Sequence, residues 1–181
     1  NSEISDNYAD NDGGGIFFES SSDSDVLRIV NSVITRNEAF EEGGGLAFYA
    51  DDEGGTVYVL DSTISDNIAY EGGGIDFYSD DDGYLVVRCS TISGNRAEDD
   101  GGGIAFYSDD GALTIENSTI SGNDGGSGYS GTQGGGIHVE EAGEPTLIIS
   151  STIFDNVAYS TGGVSSEADS IYLVNSIIAG N

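Results

Sequence analysis

The chain has 181 residues, with 33 Asp and Glu, four Arg and no Lys, and its formal net charge is −29 at pH 7. This charge excludes a basic face for nucleic acid or anionic membranes, and it favours cations as partners. The length fits one domain, the lone Cys89 excludes an intrachain disulfide, and no apolar stretch approaches the roughly 18 residues of a membrane span.

Two short markers recur along the chain and divide it into units of 25 to 33 residues. The first marker is Ile-x-x-Asn, at residues 4–7, 34–37, 64–67, 92–95, 120–123, 153–156 and 178–181. The second is three glycines followed by an aliphatic residue, at residues 13–16, 43–46, 72–75, 101–104 and 134–137. The last unit departs from this pattern with Gly162-Gly163-Val164. A fixed period of this length is typical of a repeat architecture.

Within each unit the apolar residues alternate with a period of two. In the fourth unit, Ile104 and Phe106 are predicted to point inward, while Ala105 and Tyr107 point outward. This alternation predicts short half-buried strands rather than helices. Two or three such strands per unit form one turn of a β-solenoid, so the sequence predicts an all-β chain of about six to seven coils, ~4.8 Å apart.

Equivalent residues of successive units are expected to stack as ladders. Predicted inward ladders are Ile16, Leu46, Ile75, Ile104, Ile137 and Val164; Phe18, Phe48, Phe77, Phe106 and Val139; Leu27, Val57, Leu85, Leu113 and Ile171; and the recurring Ile. The repeated Asn and Ser predict structural polar ladders rather than chemistry. Cys89 shares a repeat position with Asn31, Asp61 and Asn117, which favours a structural thiol over a nucleophile. His138 is expected on the surface.

The combination of the two markers, as at residues 101–104 and 120–123, resembles the repeats of polymorphic outer-membrane proteins and related bacterial β-helix surface proteins. Those repeats carry a Gly-Gly-small-aliphatic motif and an aromatic-x-x-Asn motif, whose aromatic position is usually Ile here. The resemblance implies a right-handed parallel β-helix and surface display with adhesion. Residues 1–181 are therefore interpreted as a single β-solenoid segment, excised from or part of a longer repeat array, because the chain opens in the middle of the pattern.

Acidic residues collect in the turns that follow the aromatic strands. Because these turns stack ~4.8 Å apart, their carboxylates repel each other by about 1 kcal/mol in water and about 3–4 kcal/mol at an effective dielectric constant of 20. Calcium, which takes 6–8 oxygen ligands, would relieve that repulsion. The alternative is a solvated acidic face. The candidate calcium ligands are Asp23, Asp25, Asp51, Asp52, Asp80, Asp81, Asp82, Asp109 and Asp110.

Three tyrosines, Tyr49, Tyr78 and Tyr107, are expected to form an outward aromatic ladder. Such a ladder either protects the strands by stacking or presents a surface to sugars. No pair of carboxylates stands out as a glycosidase site, so we expect a non-enzyme. The predicted function is a structural and adhesive rod of a secreted or cell-surface protein or filament. Its expected partners are cations, stacked copies or flanking repeats, and glycans, without membrane insertion; the alternative is a β-helix that binds or cleaves acidic polysaccharide.

Overall fold

The structure is a computed structural model that describes residues 2–51, 53–128, 130–168 and 170–181. The described residues form strands, turns and bends and contain no helix. Every strand pairs in parallel with its counterpart one repeat away, and these pairings build four parallel sheets. The predicted all-β solenoid of about six to seven coils is therefore confirmed, with one repeat per coil, although each full coil contributes four strands where two or three were predicted.

The four sheets are numbered in the order in which each coil visits them. Sheet 1 includes Glu3–Ser5, Val33–Thr35, Thr63–Ser65, Thr91–Ser93, Thr119–Ser121, Thr152–Phe154 and Ile177–Ala179. Sheet 2 includes Tyr8–Ala9, Glu38–Ala39, Ile68–Ala69, Arg96–Ala97, Asp124–Gly125 and Val157–Ala158. Sheet 3 includes Ile16–Glu19, Leu46–Ala50, Ile75–Ser79, Ile104–Ser108, Ile137–Ala142 and Val164–Ser166. Sheet 4 includes Val26–Val30, Gly55–Leu60, Gly83–Arg88, Ala112–Glu116, Thr146–Ile149 and Ile171–Val174.

The core consists of the predicted apolar ladders and of a further ladder formed by Ile29, Val59, Val87, Ile115 and Ile148, whereas Ile171, predicted to point inward, is exposed. Ile75 pairs with Leu46 on one side and Ile104 on the other, and all three are fully buried. The aromatic rings stack along the axis, with 4.3 Å between the ring centroids of Phe48 and Phe77. Each buried side chain of this size contributes roughly 1.5–3 kcal/mol by its removal from water. A coil thus obtains its stability from contact with its neighbours.

A buried asparagine ladder runs along the same axis. Asn67 donates from its backbone and its side-chain amide to Oδ1 of Asn95, at 3.0 and 2.9 Å, and Asn95 does the same toward Asn123. The Asn95 side chain also donates to the carbonyl of Ile64 at 3.1 Å. The left-handed backbone belongs to the residue before each Asn, such as Asp66 with φ 56°. The ladder is structural, as predicted.

The serine ladder and Cys89 likewise occupy fixed structural positions in the repeat. The backbone N–H of Ser62 donates to Oγ of Ser90, and that of Ser90 to Oγ of Ser118, at 3.1 and 3.2 Å. Cys89 is an exposed thiol at φ 50°, in the turn that Asp61 and Asn117 occupy in adjacent coils with φ 49°. Its place in the repeat is therefore a turn position.

The triple glycines form a corner that folds tightly over the start of each strand of sheet 3. A Cβ on Gly72, which has φ +58°, would lie 2.6 Å from the Cβ of Asp76, and one on Gly74 would lie 2.5 Å from a backbone oxygen of the next coil. Only glycine fits such approaches. The corner also covers the second side chain of the strand, such as Asp76, which simple alternation assigns to solvent.

We expect Asn95→Ala to lower the free energy of unfolding by about 2–4 kcal/mol, because the buried Asn67 N–H and the Ile64 carbonyl would lose their partners. Denaturant unfolding followed by circular dichroism measures this change. Asn11→Ala, at an exposed bend, is the matched control and should change stability by less than about 0.5 kcal/mol. Equal stability of the two variants would contradict a structural role for the ladder.

Candidate functional site

The predicted tyrosine ladder exists, and it is tied to the acidic turns. The rings of Tyr49 and Tyr78 lie 5.4 Å apart, and those of Tyr78 and Tyr107 lie 4.9 Å apart, in nearly parallel stacks. Each hydroxyl donates to the carboxylate two residues later: Tyr78 to Asp80 and Tyr107 to Asp109, both at 2.5 Å, and Tyr49 to Asp51. Tyr-x-Asp is thus a repeated structural unit of this face.

The hydrogen bonds to Asp also change the acidity of these phenols. The Asp51 and Asp80 carboxylates raise the pKa of Tyr49 and Tyr78 to about 12, chiefly because ionisation would break the hydrogen bond and place two negative charges together. The pKa of Tyr107 is raised for the same reason. The tyrosines therefore remain neutral donors that hold one oxygen of each carboxylate in place.

Several other predicted calcium ligands serve their own turns. Asp23 accepts from the backbone N–H of Gly54 at 2.7 Å, and Asp25 accepts from that of Ser21 at 3.0 Å. Asp81 accepts from the backbone N–H of its neighbour Asp82 at 3.0 Å. Asp52 lies outside the described residues. Among the residues with coordinates described, no three His, Cys, Asp or Glu side chains converge into a group that could hold a metal ion.

An open hollow of about 520 Å³ lies beside the last of these turns. Its lining includes Asp109 and Asp110 from the predicted set, together with Glu140, Glu141 and Glu167 from the next two coils. Opposed carboxylates of this density repel each other and concentrate cations. The acidic turns on this side of the rod therefore continue into a strongly negative surface.

A second acidic site, which the sequence reasoning missed, lies in the corner between the triple glycines and the tyrosine ladder. This acidic cleft has a volume of about 170 Å³. Its polar lining includes Glu42, Glu71, Asp76, His138 and Glu140, and Tyr78 and Tyr107 form one wall. The side chains come from consecutive coils, so the cleft runs along the rod.

The floor of the acidic cleft is one column of sheet 3. In-register pairing places Ala47, Asp76, Ala105 and His138 in successive coils. Alternation predicts all four to point outward, yet each is at most 6% exposed, because the glycine corner folds over them. The expectation that His138 is a surface residue is therefore wrong: the side chain is buried, and the alternation rule fails where a second chain segment covers the outer face.

Asp76 is the most unusual group of this floor. Burial raises the pKa of its carboxyl well above the usual range, and the nearby charges of Glu71, Glu42, Asp12 and Glu140 add to the effect. No hydrogen bond from the described residues opposes this shift. The protein therefore holds a buried, protonatable acid where the adjacent coils have alanine.

The wall opposite the tyrosines is a column of acids that precede the glycines. Glu42 and Glu71 form an isolated parallel bridge. Burial, followed by the charge of Glu42 and then that of Asp100, raises the pKa of Glu71 to about 7. Burial and the charge of Asp12 likewise raise the pKa of Glu42. Two carboxyls on this wall thus bind protons more tightly than they would in water.

His138 closes the acidic cleft at the fifth coil. Its Nε2 lies 3.5 Å from Oδ2 of Asp100, whose Oδ1 accepts from the backbone N–H of Gln133 at 2.5 Å. Its Nδ1 is buried and has no hydrogen-bond partner among the described residues. The register between the fourth and fifth coils shifts after Phe106, so that Tyr107 pairs with Glu141. The extra residue, Glu140, lines the acidic cleft, as bulged residues near functional sites often do.

Stability is expected to fall as pH rises from about 5 to 8. The pKa of Glu71 is about 7 in the folded chain against an ordinary 4.5, so its stabilising proton is fully bound at low pH and is lost as pH passes 7. Allowing for its partial exposure, Glu71 accounts for about 2 kcal/mol of this change. Denaturant unfolding across this range should give a shallower slope for Glu71→Gln than for the parent or for Asp61→Asn, a control at an exposed turn. Parallel profiles would contradict the proton uptake.

Asp76→Ala is expected to stabilise the fold at pH 8 by about 1–3 kcal/mol, because it removes a buried carboxyl without a hydrogen bond. Alanine already occupies this column at Ala47 and Ala105, so the new side chain fits. The reverse change, Ala105→Asp, should destabilise the fold at the same pH. Thermal unfolding of the two variants measures both effects, and loss of stability in Asp76→Ala would show that the carboxyl supports the fold.

Comparison with known proteins bears on the fold of this chain. No helix of the described residues is long and apolar enough to cross a membrane. No curated protein matches the chain, and no solved structure matches it. Residues 52–181, more than two thirds of the chain, match a family model described as a right handed beta helix region. The match agrees with the parallel coils and in-register ladders described above, and the chain belongs to the right-handed β-helix family.

Proposed function

We propose that this chain is a structural and adhesive rod segment of a secreted or cell-surface protein or extracellular filament, stabilised by calcium at its acidic turns. The observation that carries the proposal is the set of continuous ladders along the rod axis. Apolar, asparagine, serine and tyrosine columns each pass from coil to coil in register. This construction favours stiffness along the axis over a deep, single binding site.

The stiffness follows from how the ladders share their partners. The Oδ1 of Asn95 accepts from two groups of the preceding coil, and its amide donates to the following coil and back to Ile64. Bending the rod would strain several such bonds at once, because each coil lies between two neighbours. Resemblance of the two sequence markers to bacterial surface repeats supports display outside the cell.

Calcium is the proposed counter-ion of the acidic turns. Tyr78 and Tyr107 fix one oxygen of Asp80 and Asp109, and the adjacent Asp81 and Asp110 belong to the same two turns. Because the chain carries a net charge of −29, a divalent cation between coils would relieve repulsion that water screens only partly. Small movements of these turns would bring further oxygens to the ion, as the flexible coordination of calcium allows.

Adhesion is assigned to the face that carries the tyrosine ladder. The phenol rings stack on one another at interplanar angles of 12° and 10°, so their faces are largely occupied and their edges point to solvent. Glu19 and Glu141 continue this column at its two ends. A flat, acidic, aromatic strip of this kind suits a partner surface that brings cations or hydrogen-bond donors, including glycans bound through calcium.

Calcium is expected to raise the thermal midpoint of the parent chain by about 5 °C at saturation, since binding to the folded state alone stabilises it. A variant with Asp80, Asp81, Asp109 and Asp110 changed to Asn should lose this response. Differential scanning fluorimetry with calcium, magnesium and sodium at equal ionic strength measures it.

The control variant removes four exposed charges elsewhere through Glu38→Gln, Asp61→Asn, Glu98→Gln and Asp155→Asn. It should keep the calcium response, because its loss of charge is the same and the acidic turns are intact. Absence of any response in the parent would contradict calcium binding. Equal loss in both variants would assign the effect to bulk charge.

End-to-end contact between copies is part of the rod proposal. The last coil presents Tyr172, Leu173 and Ile177 to solvent, each more than half exposed. Sedimentation velocity of the isolated chain over a range of concentrations tests this contact, with a rise in sedimentation coefficient expected. A monomer at all concentrations would contradict self-stacking and leave adjacent repeats as the partners of this surface.

A carbohydrate-active role is the second candidate, and the acidic cleft is the observation that favours it. Burial raises the pKa of Glu71 to about 7 and that of Asp76 well above its usual range, and the exposed Glu140 offers a carboxylate nearby. A proton-holding acid beside a carboxylate is the pairing that glycoside hydrolysis needs. Incubation with acidic polysaccharides, with and without calcium, tests this role. Turnover that Glu71→Gln abolishes would replace the structural proposal, and absence of turnover would support it.

A further inference from the structure

The charge of the acidic cleft points to a ligand that is separate from the rod function and from carbohydrate binding. Its described lining residues include no Lys or Arg, and the arginine ion pairs of the described residues lie elsewhere: Arg36 contacts Asp6, and Arg88 contacts Glu116. His138 is thus the only basic side chain among the described lining residues of the cleft. A cleft with this lining selects for a positively charged ligand.

Two buried side chains of the cleft have polar atoms without a hydrogen-bond partner among the described residues. Asp76 is 6% exposed and receives no hydrogen bond from the described residues. His138 is 4% exposed, and its Nδ1 has no partner within the described part of the chain. With the proton on Nε2 facing Asp100, Nδ1 carries a lone pair. Buried acceptors without donors are costly, and a ligand with several N–H groups would satisfy them.

The spacing of these acceptors argues for an organic cation. Asp76 and His138 occupy one column with Ala105 between them, two coil steps or ~10 Å apart along the axis. Ala105, which lies between them, also lines the cleft. Metal ions need oxygens at about 2.4 Å, and no three potential ligands converge among the side chains described. The rings of Tyr78 and Tyr107, which form one wall of the cleft, add apolar contact for a hydrocarbon chain.

We infer that the acidic cleft binds a primary alkylammonium group, with its N–H donors directed to the carboxyls of Asp76 and Glu71 and its alkyl chain extending along the cleft toward Nδ1 of His138. The volume of about 170 Å³ suits an ammonium head with a short alkyl chain. Free diamines and the side chain of lysine in a protein share this chemistry.

Isothermal titration calorimetry at pH 8 with butane-1,4-diamine and with a lysine blocked at both ends tests the inference. We expect binding of at least one probe, and the tighter one identifies the source of the ligand. Tetramethylammonium has the same charge without N–H donors and should not bind measurably. Failure of both amines to bind would overturn the inference, as would equal binding of tetramethylammonium.

Asp76→Ala is expected to weaken binding at least about tenfold, the usual cost of losing a buried charged hydrogen bond. His138→Ser, which copies Ser165 in the same column, should weaken binding of butane-1,4-diamine, whose second ammonium can donate to Nδ1. Asp61→Asn copies Asn31 and Asn117 at an exposed turn and should change affinity less than about twofold. Equal effects of Asp76→Ala and Asp61→Asn would assign binding to the overall charge and overturn the site.

Two further measurements distinguish the cleft from other acidic surfaces. Affinity should rise from about pH 6 to pH 8, because the ligand replaces the proton of Glu71, whose pKa is raised to about 7 by burial and by the charges of Glu42, Asp100, Glu140 and Asp99. Burial and neighbouring charges, Asp12 among them, also raise the pKa of Asp76. Calcium should not displace the amine. A flat pH profile, or displacement by calcium at equal or lower concentration, would overturn the assignment to alkylammonium.

Discussion

In-register stacking of equivalent residues, ~4.8 Å apart, is the constraint on which the rest of this structure depends. It places each side chain against its counterpart in the next coil. For Phe77 against Phe48 and Phe106 this contact is favourable, and for Asn67 against Asn95 it forms hydrogen bonds. For carboxylates the same contact is repulsive by about 1 kcal/mol in water and more where water is excluded. A chain with 33 acids therefore needs a means of relief at every acidic column.

The structure shows three such means. Arg36 stacks on Asp6 and donates two hydrogen bonds of 2.8 Å to its carboxylate. Tyr78 and its neighbours in the ladder donate to carboxylates at the acidic turns. Glu71 retains its proton up to about pH 7, because burial and the neighbouring Glu42 disfavour its charge. Ion pairing, hydrogen bonding and protonation thus each relieve the repulsion between stacked carboxylates. The burial and the neighbours of each carboxylate determine which of the three applies.

The fold and its ladders were predictable because period and alternation determine register in a stacked architecture, and the ladder of Ile75 and Phe77 follows directly. The acidic cleft was not predictable in this way. Alternation assigns Asp76 and His138 to solvent, and only the close approach of the corner at Gly72 buries them. The hydrogen bond between Tyr78 and Asp80 could have been predicted from the sequence, because Tyr-x-Asp recurs at the same repeat position at residues 49–51, 78–80 and 107–109.

A residue that differs from its counterparts in the adjacent coils is informative in this fold, because the register gives each coil the same environment at a given position. Asp76 and His138 replace the alanine of Ala47 and Ala105 in one buried column. Burial of a carboxyl without a hydrogen bond opposes folding by about 1–3 kcal/mol, and alanine at the same place avoids this cost. The column also faces the bulged Glu140 and the wall of Glu71. The convergence of such polar groups on one cleft is explained by a ligand whose binding compensates for the free-energy cost of burying them.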